Sequence, residues 1–98
     1  EIMLTIATIK NEIEPIAREY GVKKVYVIGS YAKGIATEDS DVDLLVEKAP
    51  HMSAVTLAAF WNRIIKALKC NVDLLLTTGI NKKFDEAIGE NRVLIYEG

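Results

Sequence analysis

Two aspartates, Asp41 and Asp43, stand among Val42, Leu44, Leu45 and Val46, and a third, Asp73, stands in the similar run "NVDLLL" from Asn71 to Leu76. A carboxylate is costly to place where a chain buries itself, unless something pairs with it. Side chains alternate along a strand, so Asp41 and Asp43 project from one side, about 7 Å apart. Val42, Leu44 and Val46 take the other side. If the strand carrying Asp73 lies next to this one, three carboxylates share one patch. Such a cluster repels itself and raises the pKa of its members. A hard divalent cation relieves the repulsion. Mg²⁺ takes oxygen ligands and needs only one or two carboxylates plus substrate phosphates. Two ions about 3.5–4 Å apart can hold the attacking and leaving oxygens of a phosphoryl displacement. Taken alone, an Asp-x-Asp pair is more often a solvated strand face, so this chemistry needs a second feature.

That feature is Gly29-Ser30, which precedes Asp41 by a ten-residue spacer. An apolar strand that ends in Gly-Ser and feeds a short helix exposes free amides at the helix start, where they and the local dipole favour phosphate. Gly29 lacks the Cβ that would block close approach, and the Ser30 hydroxyl can donate one more hydrogen bond. In isolation the same pair is an ordinary helix cap. Three other phosphate and metal motifs fail. "GSYAKG" has the glycine frame of a P-loop, but Ile35 and Ala36 occupy the places of its Lys and Ser or Thr. "DSDVDL" begins like a calcium loop, but Leu44 and Pro50 stand where its glycine and glutamate belong. No G-x-G-x-x-G is present.

The surrounding pattern supplies elements to position these residues. Ile6, Ile9, Ile13, Ile16 and Tyr20 recur at helical spacing and predict a helix from Ile2 to Tyr20, kinked or broken near Glu14 by Pro15 and stopped by Gly21. Lys24 to Ile28 reads as a strand, Ser30 to Lys33 as a short helix, Thr37 to Ser40 as a loop and Asp41 to Glu47 as a second strand. Ser53 is placed to cap a helix running to Lys69, with Leu57, Trp61, Ile64 and Leu68 as its buried stripe. Asn71 to Leu76 is a third strand, and Asn81 caps a last helix to Ile88, with Gly89 beyond it. "RVLIYE", from Arg92 to Glu97, ends the chain as a fourth strand. The fold class is α/β (α+β): a small mixed sheet of three to four strands with packed helices, in one domain over residues 1–98.

Composition narrows the function classes. The chain has 98 residues, of which half are hydrophobic, and a net charge of −2. Its lysines and arginines are dispersed, which argues against long nucleic acid as the main partner. No apolar stretch reaches the roughly 18 residues of a membrane span, and no signal peptide is visible. The single cysteine, Cys70, forbids an internal disulfide and suits a reducing, cytoplasmic setting.

Gly29-Ser30, the spacer, Asp41-Val42-Asp43 and the later Asp73 together resemble the nucleotidyltransferase superfamily of the DNA polymerase beta type. "GSYAKG" is similar to its Gly-Ser-x-Ala-Arg-Gly, and "SDVDLLV" to its Ser-Asp-x-Asp-Leu-Leu-Val. The short chain and its "RVLIYE" ending look like the minimal nucleotidyltransferases. The resemblance implies that Asp41, Asp43 and Asp73 bind the metal, two Mg²⁺ ions with Mn²⁺ as a substitute. Asp73 would complete the site and help take the acceptor's proton. Gly29 and Ser30 would hold the β- and γ-phosphates of ATP. Lys33 stands where the family often has arginine, and two roles stay open for it: phosphate contact, or a solvated side chain. The implied reaction is AMP transfer from ATP to a hydroxyl, with pyrophosphate leaving. By analogy with minimal members, the acceptor is a tyrosine of a HEPN-type ribonuclease toxin and the chain is its antitoxin. A partner or a self-dimer would complete the acceptor side. Two other readings stay open: a non-catalytic nucleotide-binding antitoxin that masks its partner sterically, and an enzyme acting on a small molecule such as an aminoglycoside.

Other conspicuous residues receive structural roles. Ser40 is expected to cap the loop that positions Asp41, Phe60 and Trp61 to serve core or interface, Tyr31 to pack, His51 to be solvated, and Cys70 to be a small core residue.

Overall fold

The computed structural model describes residues 4–98. Helix α1 (Ile6–Tyr20) starts where the Thr5 side chain accepts a hydrogen bond from the Thr8 amide, and it stops at Gly21 in the left-handed conformation. Ile2, where the sequence places the helix start, lies outside the described residues. Of the kink or break expected at Pro15, the break does not occur: the helix runs through it. Pro15 is exposed, so the carbonyl that loses its partner faces water, while Ile9, Ile13, Ile16 and Ala17 hold the opposite face in the core.

Strand β1 (Lys24–Ile28) runs directly into the short helix α2 (Gly29–Lys33), which Gly34 ends. Strand β2 (Val42–Glu47) begins one residue later than expected, leaving Asp41 exposed just before it. The loop takes the backbone up to that point: the Thr37 amide donates to Ser40 Oγ at 2.8 Å and the Ser40 amide to the Thr37 carbonyl at 3.0 Å. Val42 donates to the Asn71 carbonyl and so enters the ladder. Helix α3 (Ala54–Leu68) is capped by Ser53, and strand β3 (Val72–Leu76) follows. A 3₁₀ turn over Thr77–Gly79 leads to helix α4 (Lys82–Ile88), capped by Asn81, and to strand β4 (Val93–Glu97).

The four strands form one sheet in the order β3-β2-β1-β4, with β2 and β3 parallel and the other pairs antiparallel. On one face α1 and α3 cover Val25, Val27, Val42, Leu44 and Val46. On the other, Ile88 of α4 packs on Ile28 and Leu45. The buried stripe of α3 is Phe60, Ile64 and Leu68. Trp61, placed in that stripe from the sequence, instead lies at the surface, 37% exposed, and its indole N–H donates to the Val72 carbonyl at 2.7 Å. Adjacent helix positions diverge by about 100°. Phe60 turns inward to the main core and meets the Tyr20 ring of α1, with centroids 5.6 Å apart.

Candidate active site

Asp43 and Asp73 are direct register partners across the parallel β2–β3 ladder. Neighbouring strands lie about 4.8 Å apart and paired residues share a face, so the two carboxyl groups stand side by side. The same register puts Val42, Leu44 and Val46 opposite Val72, Leu74 and Leu76, and this apolar ladder under the helices anchors both aspartates. Asp41 stands at the entry to β2 with its side chain in water.

The second half of the site meets the first through one glycine. Ile28 pairs with Asp43 across β1 and β2, so Gly29 arrives beside the Asp43 carboxylate as the strand ends. Gly29 adopts φ +71°, a conformation that side chains disfavour, and a Cβ there would overlap a carboxylate oxygen of Asp43 and lie 3.1 Å from its Cγ. The glycine therefore makes room first for Asp43 itself. Ile28, at the cap position of α2, has no side chain to accept from the first helical amides. Those amides open next to a carboxylate, an arrangement suited to a phosphate with a cation between the two.

The Asp43 carboxyl is pushed above the ordinary carboxylate value, first by burial, then by a hydrogen bond with Asp73 and by the negative charges of Asp73 and Asp41. The pocket thus disfavours the very charge it holds. Among the described residues no group of three or more His, Cys, Asp or Glu side chains is arranged to close on one metal ion. The donor set is nonetheless right for Mg²⁺: two adjacent hard carboxylates, a third at the rim, and an open side for phosphate oxygens. Cys70 sits in the groove beside Asp41, and burial together with the Asp41 charge raises its thiol pKa.

Lys33 is exposed and lines the same groove, about 240 Å³, as Gly29 and Asp43. The opposite side of that groove is α4 and the residues after it: Phe84, Ala87, Ile88 and Asn91. Sequence reading assigned nothing to this wall. Its signal was present, since Phe84 and Ile88 recur at i, i+4, but that spacing does not say which surface the helix will face. The supporting roles hold: Ser40 closes the loop, Tyr31 is buried in the main core and His51 is exposed.

The chain is similar to several known proteins. The Thermococcus cleftensis protein adenylyltransferase MntA is 32% identical over 82 residues, 80% of this chain and 83% of its own. A Methanocaldococcus jannaschii protein, provisionally named a protein adenylyltransferase, is 33% identical over 85 residues, 87% of this chain and 91% of its own. A solved structure described as a minimal nucleotidyltransferase superposes with TM-score 0.78 at 26% identity, covering 92% of this chain and 95% of that one. The fold recurs, at 17% identity and TM-score 0.70, in a complex of a tri-AMPylated Shewanella oneidensis HEPN toxin with its MNT antitoxin, where 94% of this chain and 72% of that chain are covered. Residues 11–98 match the family described as Polymerase beta, Nucleotidyltransferase. That match spans the glycine turn and all three aspartates, and with this geometry it makes the chain a member of the polymerase beta-type nucleotidyltransferase family.

Proposed function

We propose that the chain transfers AMP from ATP to a hydroxyl of a partner protein, a tyrosine of a HEPN-type toxin, and thereby acts as that toxin's antitoxin. The observation that carries this reading is the contact of the Gly29 turn with Asp43, itself in register with Asp73. The adenylyltransferase relatives and the AMPylated toxin complex supply the acceptor class. Residues 1–98 act as one minimal nucleotidyltransferase domain, in the cytoplasm where ATP is available. Among the described residues no helix is long and apolar enough to cross a membrane.

In this reading the amides after Ile28 and the Ser30 hydroxyl hold the β- and γ-phosphates, with Lys33 beside them. Asp41, Asp43 and Asp73 hold Mg²⁺, or Mn²⁺ in its place. When bound, the metal offsets phosphate charge and lowers the acceptor hydroxyl's pKa. The acceptor oxygen attacks the α-phosphorus, and the new P–O bond forms as the bond to the bridging oxygen breaks. Pyrophosphate leaves with that electron pair. Asp73, on the outer strand and exposed, takes the hydroxyl proton in this reading.

The decisive experiment incubates the protein with its partner toxin and α-labelled ATP under Mg²⁺ or Mn²⁺. Label should pass to the toxin and fall at least about a hundredfold with Asp43→Asn, a loss in the range of removing a major electrostatic contributor. If the wild type transfers no label, or the variant neutralises the toxin as well as the wild type does, the enzymatic antitoxin role is lost.

A further inference from the structure

The groove beside Gly29 and Asp43 extends beyond what phosphates need. Its remaining lining is apolar, from Ile28, Phe84, Ala87 and Ile88, with Asn91 the additional polar side chain. Phe84 is an aromatic 41% exposed to water while bordering this space. Ile88, one turn later on α4, is buried against Ile28 and Leu45 and fixes the face that α4 turns toward the sheet. At about 240 Å³ the groove is smaller than an enclosed small-molecule site, roughly 300–1,000 Å³, and so covers one side of a ligand.

A nucleotide whose phosphates lie at Gly29 must continue into adjoining space. The groove on the Asp41 side is lined by Glu38, Asp39 and Asp41 with only Lys69 opposing them, and it repels a polyanion. The α4 groove carries Lys33 against the single carboxylate Asp43. We propose that the nucleoside of the nucleotide substrate occupies the α4 groove, with its base stacked on Phe84 and its polar edge served by the Asn91 amide. An aromatic face suits any base, and such stacking contributes substantially to affinity. This assignment rests on the phosphate role given to Gly29 and Asp43.

Calorimetric titration of the wild type, Phe84→Ala and Phe84→Tyr, each with Mg²⁺ plus either AMP-PNP or inorganic tripolyphosphate, separates the two readings. Tripolyphosphate should bind all three proteins alike. AMP-PNP should bind the wild type and Phe84→Tyr tightly and Phe84→Ala about tenfold or more weakly. Undiminished AMP-PNP binding by Phe84→Ala overturns the base subsite and leaves the phosphate site standing. A parallel loss of tripolyphosphate binding overturns it as well, because the effect is then not on the base. If the wild type binds neither ligand, the subsite falls together with the phosphate assignment.

Discussion

Asp43 is squeezed from three directions: the core beneath it, Asp73 in register beside it, and Gly29, which has no side chain to keep the turn away. Its carboxyl ionises less readily in the fold than in the unfolded chain. It therefore favours folding only while protonated. That contribution is present below the unfolded carboxylate's pKa and is lost as pH rises through the raised folded value. In metal-free protein, Asp43→Asn should melt a few degrees higher than the wild type near neutral pH, and the advantage should vanish at acidic pH where both side chains are neutral. Thermal melts across that range check it, and a variant less stable than the wild type at neutral pH would show that the carboxylate is not a strain. Such a trade of stability for function is common where charges are gathered to bind a ligand.

Elements differ in how firmly they are held. Helices α1 and α3 share the main core, where Phe60, Ile9, Ile13 and Ile64 are fully buried. Helix α4 buries only Ile88, and Arg92 reinforces it. The Arg92 guanidinium bonds Asp85 Oδ1 at 2.7 Å and the Gly89 carbonyl at 3.2 Å, and lies 5.5 Å from the Tyr26 ring centroid. These are partly exposed contacts, together worth about 1 kcal/mol. Arg92→Ala should speed amide exchange across residues 82–88 while leaving the protection of α1 and α3 amides nearly unchanged. Uniformly faster exchange would instead mean that α4 opens only with the whole fold. The Arg63–Glu19 pair between α3 and α1 lies at the surface, and although the guanidinium holds Glu19 below the usual carboxylate range, it is a minor tie beside the core. The stripe of α3 was legible at Leu57, Ile64 and Leu68, but Phe60 and Trp61 were exchanged. Either aromatic extends the pattern, and only tertiary contacts distinguish them: Phe60 against Tyr20, and the Trp61 indole on the Val72 carbonyl.

For the whole molecule the relevant quantity is what ligand binding adds to the fold. A ligand that binds only the folded state stabilises it by about 2.7 kcal/mol at a hundredfold excess over Kd, corresponding to a rise of roughly 10 °C or more for a domain of this size. ATP with Mg²⁺ should reach that range at saturation, and ATP with a chelator should give clearly less, because Asp41, Asp43 and Asp73 would then repel the phosphates. Equal shifts in a differential scanning measurement would remove the metal from the site.

Periodicity, capping residues and turn chemistry determined the order of helices and strands, because each depends on residues within one or two turns of one another. The start of α1 is the exception: the pattern carries the helix back to Ile2, whereas Leu4 is not helical and Thr5 caps a helix that begins at Ile6. The motif likewise displayed Gly29, Ser30, Asp41 and Asp43, which lie close in the chain. What sequence could state only conditionally was whether Asp73 would join them. That required β3 to pair in parallel with β2 at one register, a contact between residues thirty positions apart. The tertiary structure also decided that Gly29 yields space to Asp43, and that α4 turns Phe84 toward the same groove. Spacing along the chain specifies which side of an element a residue occupies. Only the packing of elements against one another specifies what that side will face.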